Sequence, residues 1–520
     1  MKRSEIINRI ENDEVWDFII VGGGATGLGT ALDAASRGYS AVLFEQADLA
    51  KGTSSRSTKL VHGGVRYMAQ GDIGLVREAC HERGLLLKNA PHLTKNQSFV
   101  IPNYSWFDNV LYTVGLKFYD MLAGKLSLGK SKYINKRKTI EQLPTIKQKG
   151  LKGGVLYYDG QFDDARLAVN IAQSAVEQGA VIMNYAKVVG LNKDNAGKVA
   201  GVEVKDIETG RVFKIKGRSV INATGVYVDD LLMMDNPAGK KMVRPSQGVH
   251  LVFERSFLDG ESALMIPKTD DGRVLFAVPW HDKLVVGTTD TLRDHPELEP
   301  HALEQEIEFI LQTAGRYLTR KPTRADVLSV FAGLRPLAAP QGEGKSTKEI
   351  SRNHKIIVSR SGLVTITGGK WTTFRRMAQD TVDKTIATAR LEFKPCVTQH
   401  FKIHGYAENV DRSDHLYVYG SDIPDVKKIM EQEPGMNEKL SAKYGYTKAE
   451  VAWAARYEFA RSVEDVLARR CRLLFTDAHA AIEAAPAVAQ VLAKELGHDE
   501  DWVLKQIASF DQIARGYLLN

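Results

Sequence analysis

A chain of 520 residues exceeds what one compact core supports, so two or three domains are expected. Hydrophobic residues make up 43% and charged residues 26%, which fits a soluble globular protein and excludes collagen-like, low-complexity and disordered classes. The net charge of +7 is concentrated: Lys125, Lys130, Lys132, Lys136, Arg137, Lys138, Lys147, Lys149 and Lys152 are opposed in their own stretch by Glu141 alone. Cys80, Cys396 and Cys471 lie far apart with no CxxC pair, so neither a zinc site nor a disulfide framework is expected. Any redox chemistry must then be carried by a bound cofactor.

Glu5, Glu11, Asp13 and Glu14 precede the first apolar run, so neither a secretory signal nor a mitochondrial presequence is expected there. No run reaches the roughly 18 apolar residues of a membrane-spanning helix. Asp17-Phe18-Ile19-Ile20-Val21 reads as a buried parallel strand, followed at once by Gly22-Gly23-Gly24-Ala25-Thr26-Gly27. Leu28, Ala31, Leu32 and Ala35 then recur at helical spacing, and a second apolar run, Ala41 to Phe44, ends in Glu45. In such a unit Gly22 makes the tight turn, Gly24 lets backbone approach a pyrophosphate, and Gly27 lets helix and strand pack closely. The free N–H groups at the helix start face phosphates, and Glu45 can accept from both ribose hydroxyls. Strand, glycines, helix, strand and acid in this order predict a dinucleotide site.

This unit alone does not choose between FAD and NAD. The next stretch, Gly52 to Tyr67, is dense in hydroxyls, glycines and basic groups, as the wall of a longer cofactor should be. Thr53, Ser54, Ser57, Thr58, Lys59, Leu60, His62, Gly63 and Gly64 are its candidate contacts, which favours FAD. Between Ser105 and Lys125, Phe107, Leu111, Val114, Phe118 and Leu122 share a helical face, broadened by Trp106, Tyr112 and Tyr119. Asn109, Thr113, Lys117 and Asp120 form a narrow polar stripe. With the lysine-rich segment that follows, this predicts a helix lying on an anionic membrane surface, against the plainer alternative of a helix packed between domains.

Val220 to Gly225 reads as a strand ending in a small-residue turn, Ala223-Thr224-Gly225. Gly362 to Ile366 reads as another strand, followed by Thr367-Gly368-Gly369-Lys370-Trp371-Thr372-Thr373 and a helix. That helix carries Phe374, Met377, Ala378, Thr381, Val382, Thr385 and Ile386 on one face. Its N-terminus, with Lys370, can stabilise negative charge on a reduced flavin. Lys394-Pro395 marks a boundary. Beyond about residue 420 the pattern is helical, with a capping-box signature at Thr447 to Glu450.

With these segments in hand, the chain resembles the FAD-dependent glycerol-3-phosphate dehydrogenases, of the aerobic, quinone-linked type. The match runs through Ser54 to Tyr67, Tyr158 to Arg166, Pro279-Trp280, Gly287 to Asp290, Gly333 to Leu337 and Gly368 to Arg375. Two departures stand out: Val226-Tyr227 replaces the family's Pro-Trp, and Phe374 replaces its tyrosine. The resemblance implies an α/β fold, α+β overall. Its parts would be a Rossmann-like FAD domain of the glutathione-reductase/D-amino-acid-oxidase type, an antiparallel-sheet substrate domain and a C-terminal helical domain. Boundaries are placed at 1–392 for the oxidoreductase region, with the FAD domain at about 16–120, 160–235 and 355–392. The substrate domain then occupies about 236–354, and the helical domain 393–520.

The implied reaction oxidises sn-glycerol 3-phosphate to dihydroxyacetone phosphate, with hydride passed to flavin. Arg66, Arg335 and Lys370 match the family's substrate-pocket positions, with Arg352 as a further match and Tyr67, His250 and Thr289 in second rank. Arg66 and Arg335 also stand as catalytic candidates. His62 is the first choice of base, because imidazole titrates near neutrality, and Arg335 and His250 are its rivals. Val188 joins the glycine unit and Gly368 to Thr372 among the implied cofactor contacts. The family implies a membrane quinone as acceptor and a peripheral position on the inner face of the cytoplasmic membrane. An O₂-using oxidase, an amine or amino-acid oxidase, and a redox sensor or RNA-binding flavoprotein are the alternatives. The basic stretch lacks the regular aromatic interleaving of a single-strand binder, so no nucleic-acid partner is expected, and no metal site is either. Monomer and homodimer both stay open.

Overall fold

Apolar runs too short to be helices become the strands of a dinucleotide sheet. The computed structural model describes residues 3–12, 15–64, 72–269, 272–338 and 354–519. Arg66, Tyr67 and Arg352 therefore lie outside the described residues. The sheet has six strands in the order Lys355–Val358, Val364–Thr367, Val220–Asn222, Phe18–Val21, Ala41–Phe44 and Val181–Met183. All pair in parallel except the first. Phe18–Val21 and Ala41–Phe44 are buried at every residue, because both faces of the sheet are covered.

On one face lies the helix Ala25–Ser36, with Phe374–Ala389 packed against it. Each of the seven residues expected on the packed face of the latter is buried. On the other face, Ile19, Val21, Val42 and Phe44 meet Val202, Val204 and Ile215 of a small second sheet.

A third sheet of ten strands forms the roof. Its centre is Val243–Glu254, paired antiparallel with Ser329–Ala338 over ten residues and with Lys283–Gly287. The sequence reading confines this sheet to about 236–354, but it also takes in Leu60–Val61, Thr94–Asn103, Lys132–Asn135 and Gly153–Phe162. The join is a short parallel pairing of Ala263–Ile266 with Thr94–Asn103. A ladder between segments so distant in sequence leaves no local pattern to read.

The predicted amphipathic helix is present at Trp106–Ala123. Leu116 and Tyr119 are buried among Phe99, Val155 and Tyr157. Phe107, Val110, Leu111, Val114, Phe118 and Met121 are exposed, Phe107 by 75% and Val114 by 64%. Leu122, expected on the outer face, is instead packed against the buried cluster. Tyr119, expected to broaden that face, is buried, since its hydroxyl has an internal partner. Among the described residues, no helix is long and apolar enough to cross a membrane.

Past residue 420 the chain is helical: Ile423–Gln432, Lys448–Tyr457, Ala478–Leu496 and Glu500–Arg515. The Glu450 carboxylate accepts from the Thr447 N–H at 2.7 Å, closing the expected capping box.

Candidate active site

The glycine turn opens one of two adjoining chambers. Gly22 sits at φ +110, and a Cβ there would stand 2.6 Å from the Ala223 carbonyl oxygen, so no side chain fits. Gly27 faces Gly22 in the same tight contact. Gly22, Gly24, Ala25, Thr26 and Glu45 line this first chamber, of about 330 Å³, opposite Val188, Ala223, Thr224 and Gly225. Gly23 stands behind it, its N–H donating to Glu45 Oε2 at 2.6 Å, while Ala47 N–H donates to Oε1 at 2.9 Å. Burial pushes the Glu45 carboxyl up, against the pull of these amides. Tyr227, at one departure from the family pattern, lines the same chamber.

Thr53, Gly368, Gly369, Lys370 and Trp371 belong to both chambers and form the passage between them. Ser54 anchors this passage: its Oγ accepts from Ala25 N–H at 2.9 Å, and its carbonyl accepts from Trp371 Nε1–H at 2.8 Å. The second chamber, of about 310 Å³, is lined by Ser57, Thr58, Leu60, His62, Gly64 and Thr372 beneath the roof sheet. His62 N–H donates to Thr372 Oγ1 at 3.1 Å, which ties the histidine loop to the Gly368–Thr373 turn. Gly63 N–H points out of the chamber to Tyr119 Oη at 2.8 Å, and that hydroxyl donates to Asp159. Burial pushes the Asp159 carboxyl up, although Arg83 opposes this from 2.5 Å.

The roof contributes His250, Thr288, Thr289 and Arg335. Arg335 Nη2 donates to Thr288 Oγ1 at 3.0 Å, and Nη1 lies 3.7 Å from Asp290. His250 Nε2 pairs with Thr58 Oγ1 at 2.9 Å, and its ring stacks on Phe331. Burial first, then the Lys59 and Arg335 cations, hold this imidazole well below its ordinary range, so it is neutral at physiological pH. Thr289 borders the chamber, but its hydroxyl is turned away, donating to Glu306 and accepting from Val249 N–H. Thr288, its neighbour in the same motif, is the threonine that meets Arg335.

Lys59 does not line either chamber. It sits behind the loop, with Nζ 2.7 Å from both the Ser55 carbonyl and Asp164 and the Trp280, Phe331 and Phe475 rings around it. Burial, against the pull of Asp164, holds its ammonium down to about 7.

These features fit FAD. Two chambers meet at a backbone passage, a glycine turn opens a helix N-terminus into one, and a carboxylate stands at its far wall. Thr367 Oγ1, beside the passage, is buried with no hydrogen-bond partner among the described residues.

Residues 17–375 match the FAD dependent oxidoreductase family, and residues 360–502 match the C-terminal domain of alpha-glycerophosphate oxidase. The mitochondrial glycerol-3-phosphate dehydrogenase of Arabidopsis thaliana is 40% identical over 523 residues, covering 92% of this chain and 82% of that protein. Among solved structures, the FAD complex of glycerol-3-phosphate dehydrogenase from Bacillus halodurans has a TM-score of 0.81 at 29% identity, covering 99% of this chain and 97% of that one. Glycine oxidase from Geobacillus kaustophilus shares the fold alone, with a TM-score of 0.54 at 17% identity over 73% of this chain and 95% of that one. The glycine turn, the bipartite chamber and a likeness running nearly end to end lead to one assignment: the chain belongs to the FAD-dependent glycerol-3-phosphate dehydrogenases.

Proposed function

We propose that this chain oxidises sn-glycerol 3-phosphate to dihydroxyacetone phosphate and passes the electrons to a membrane quinone. The observation that carries this is Arg335, a planar cation lining the second chamber that His62, His250 and Lys370 also line. A guanidinium suits a phosphate because its paired N–H groups match two oxygens at once. Bound FAD supplies the hydride acceptor. His62 takes the proton of the secondary hydroxyl as the C–H bond breaks, and His250, kept neutral, adds a hydrogen-bonding group without adding charge. Lys370 and the N-terminus of Phe374–Ala389 favour the negative charge that accumulates on reduction. Arg66, Tyr67 and Arg352 are proposed to complete the substrate pocket.

The quinone reading rests on the surface. The helix Trp106–Ala123, with its exposed apolar face, packs against strand Lys132–Asn135, and the exposed Lys132, Lys136, Arg137 and Lys138 follow in this strand and the next helix, which offers both an apolar and an electrostatic attachment. We place this face on the inner side of the cytoplasmic membrane. The test is anaerobic: glycerol 3-phosphate should bleach the flavin band while glycerol leaves it intact. A quinone added next should restore the band much faster than air does. Equal bleaching by glycerol would remove the phosphate pocket, and rapid recovery in air alone would make the protein an oxidase.

A further inference from the structure

The loop from Glu45 to Leu60 touches both chambers, yet its back is covered by the C-terminal helical region. The Asp48 carboxylate receives Arg470 Nη1 at 2.6 Å and Nη2 at 2.9 Å, and also Arg469 Nε. Lys51 Nζ reaches Glu464 at 2.6 Å. Arg472 Nη2 donates to the Ser55 carbonyl at 3.0 Å and to Asp164 at 2.9 Å. Lys59 grips the same carbonyl and the same carboxylate from inside the loop. Asp48, Lys59, Asp164 and the three arginines are all at most 1% exposed.

Burying this many charges is not a route to stability, because desolvation costs several kcal/mol per ion and apolar packing does as well or better. What such pairs give is fixed geometry. The backbone is shaped for it. Asp465–Arg470 is a π-helical turn, and Arg472 is left-handed at φ +64. A regular helix advances about 100° per residue and would splay these closely spaced side chains, whereas the widened turn and reversed residue aim all three at one loop.

We propose that Arg472 is a positioning residue for the cofactor: through Ser55 it sets Ser54 against Ala25 and Trp371, so the C-terminal region holds FAD without touching it. Ser54 is the knot that joins the dinucleotide helix to the passage, and Arg472 acts on the adjacent carbonyl. This rests on FAD as the bound group, which the affinity measurement tests separately: a wild-type chain that binds no FAD fails the cofactor reading rather than this one.

The experiment uses the full chain and measures the FAD dissociation constant of the apoprotein by flavin fluorescence, together with the shape of the bound flavin band. Arg472→Met should weaken FAD at least tenfold and shift the band. Arg472→Lys keeps the charge but not the fork, and should fall between, at least threefold weaker than wild type. Arg456→Met is the control, because Arg456 pairs with Glu433 and Glu495 entirely inside the C-terminal region. It should lower the melting temperature and leave FAD affinity and band shape alone. Wild-type affinity in Arg472→Met overturns the proposal, as does equal weakening in Arg456→Met. Should Arg472→Met not fold, Arg472→Lys decides by the same comparison, and wild-type affinity there overturns the proposal too.

Discussion

Arg335 stands between a hydroxyl and a carboxylate, which leaves its fork aimed but still able to take an anion. Arg335→Ala should lower kcat/KM for glycerol 3-phosphate at least tenfold, since losing a charge-assisted bond costs about 1.5–3 kcal/mol. Arg335→Lys should recover only part of this, because an ammonium cannot present two parallel N–H groups. Unchanged steady-state kinetics in either variant would move the phosphate elsewhere. The two histidines separate by pH. A base must be unprotonated, so the rate falls as pH drops through its own pKa. His250 is held well below the ordinary imidazole range and cannot produce such a limb near neutrality. A near-neutral limb in kcat/KM that vanishes in His62→Asn and survives in His250→Asn would identify His62. Persistence in both would exclude it. Much of the site was legible in sequence at this scale, because glycines and hydroxyls act through backbone and need no distant partner. The partners of Lys59 and Thr289 were not: their side chains are captured by Asp164 and Glu306, which the fold brings from far away.

At the scale of elements, Trp106–Ala123 is divided between an inward side holding Tyr119 and an outward side of bare apolar residues. Val114→Glu, on the exposed side, should change unfolding free energy by no more than about 0.5 kcal/mol. The same change should sharply reduce co-sedimentation with vesicles of anionic lipid. Reversing Lys136, Arg137 and Lys138 should act likewise, with an effect that fades as salt rises and screens the headgroups. Wild-type protein that ignores such vesicles at low salt would remove the membrane reading. Period 3.6 exposed this helix in the sequence, and continuous apolar runs exposed the parallel strands. The roof sheet was read too narrowly because its pairing of Thr94–Asn103 with Gly153–Phe162 and Ala263–Ile266 is a matter of topology, which alternation alone does not encode.

For the whole molecule, Asp48 is the residue on which the first fifty positions and the last sixty depend together. Burial pushes its carboxyl up, but Arg470 and Arg469 overcome that and hold it down to about 2, from 3.8. A depressed carboxylate stabilises the fold above its unfolded pKa and loses that contribution as pH falls through the folded value. Asp48→Asn takes the carboxylate partner from buried Arg470, while Arg469 keeps Glu464 and Asp465, and should cost about 3–5 kcal/mol at neutral pH. The gap between wild type and variant, read from urea unfolding, should shrink as pH falls from 3.8 towards about 2. A gap independent of pH across that window would contradict the pairing. Nothing in the sequence marks Arg469, Arg470 and Arg472 as interior, since a run rich in arginine ordinarily reads as a solvated face.

The order of the six-stranded sheet bears on how the protein is made. Phe18–Val21 waits for Val220–Asn222 on one edge, and that strand waits in turn for Val364–Thr367. The passage between the chambers is completed only by Gly368 to Trp371. On the ribosome, the glycine turn therefore emerges early but has no finished pocket until Trp371 is clear of the exit tunnel. A complete FAD pocket awaits Trp371, and Phe18–Val21, paired early with Ala41–Phe44, keeps its other edge open until Val220–Asn222 arrives. A nonsense mutation before Trp371 leaves a product without a finished passage between the chambers, and an apolar strand edge left open in this way is prone to aggregation.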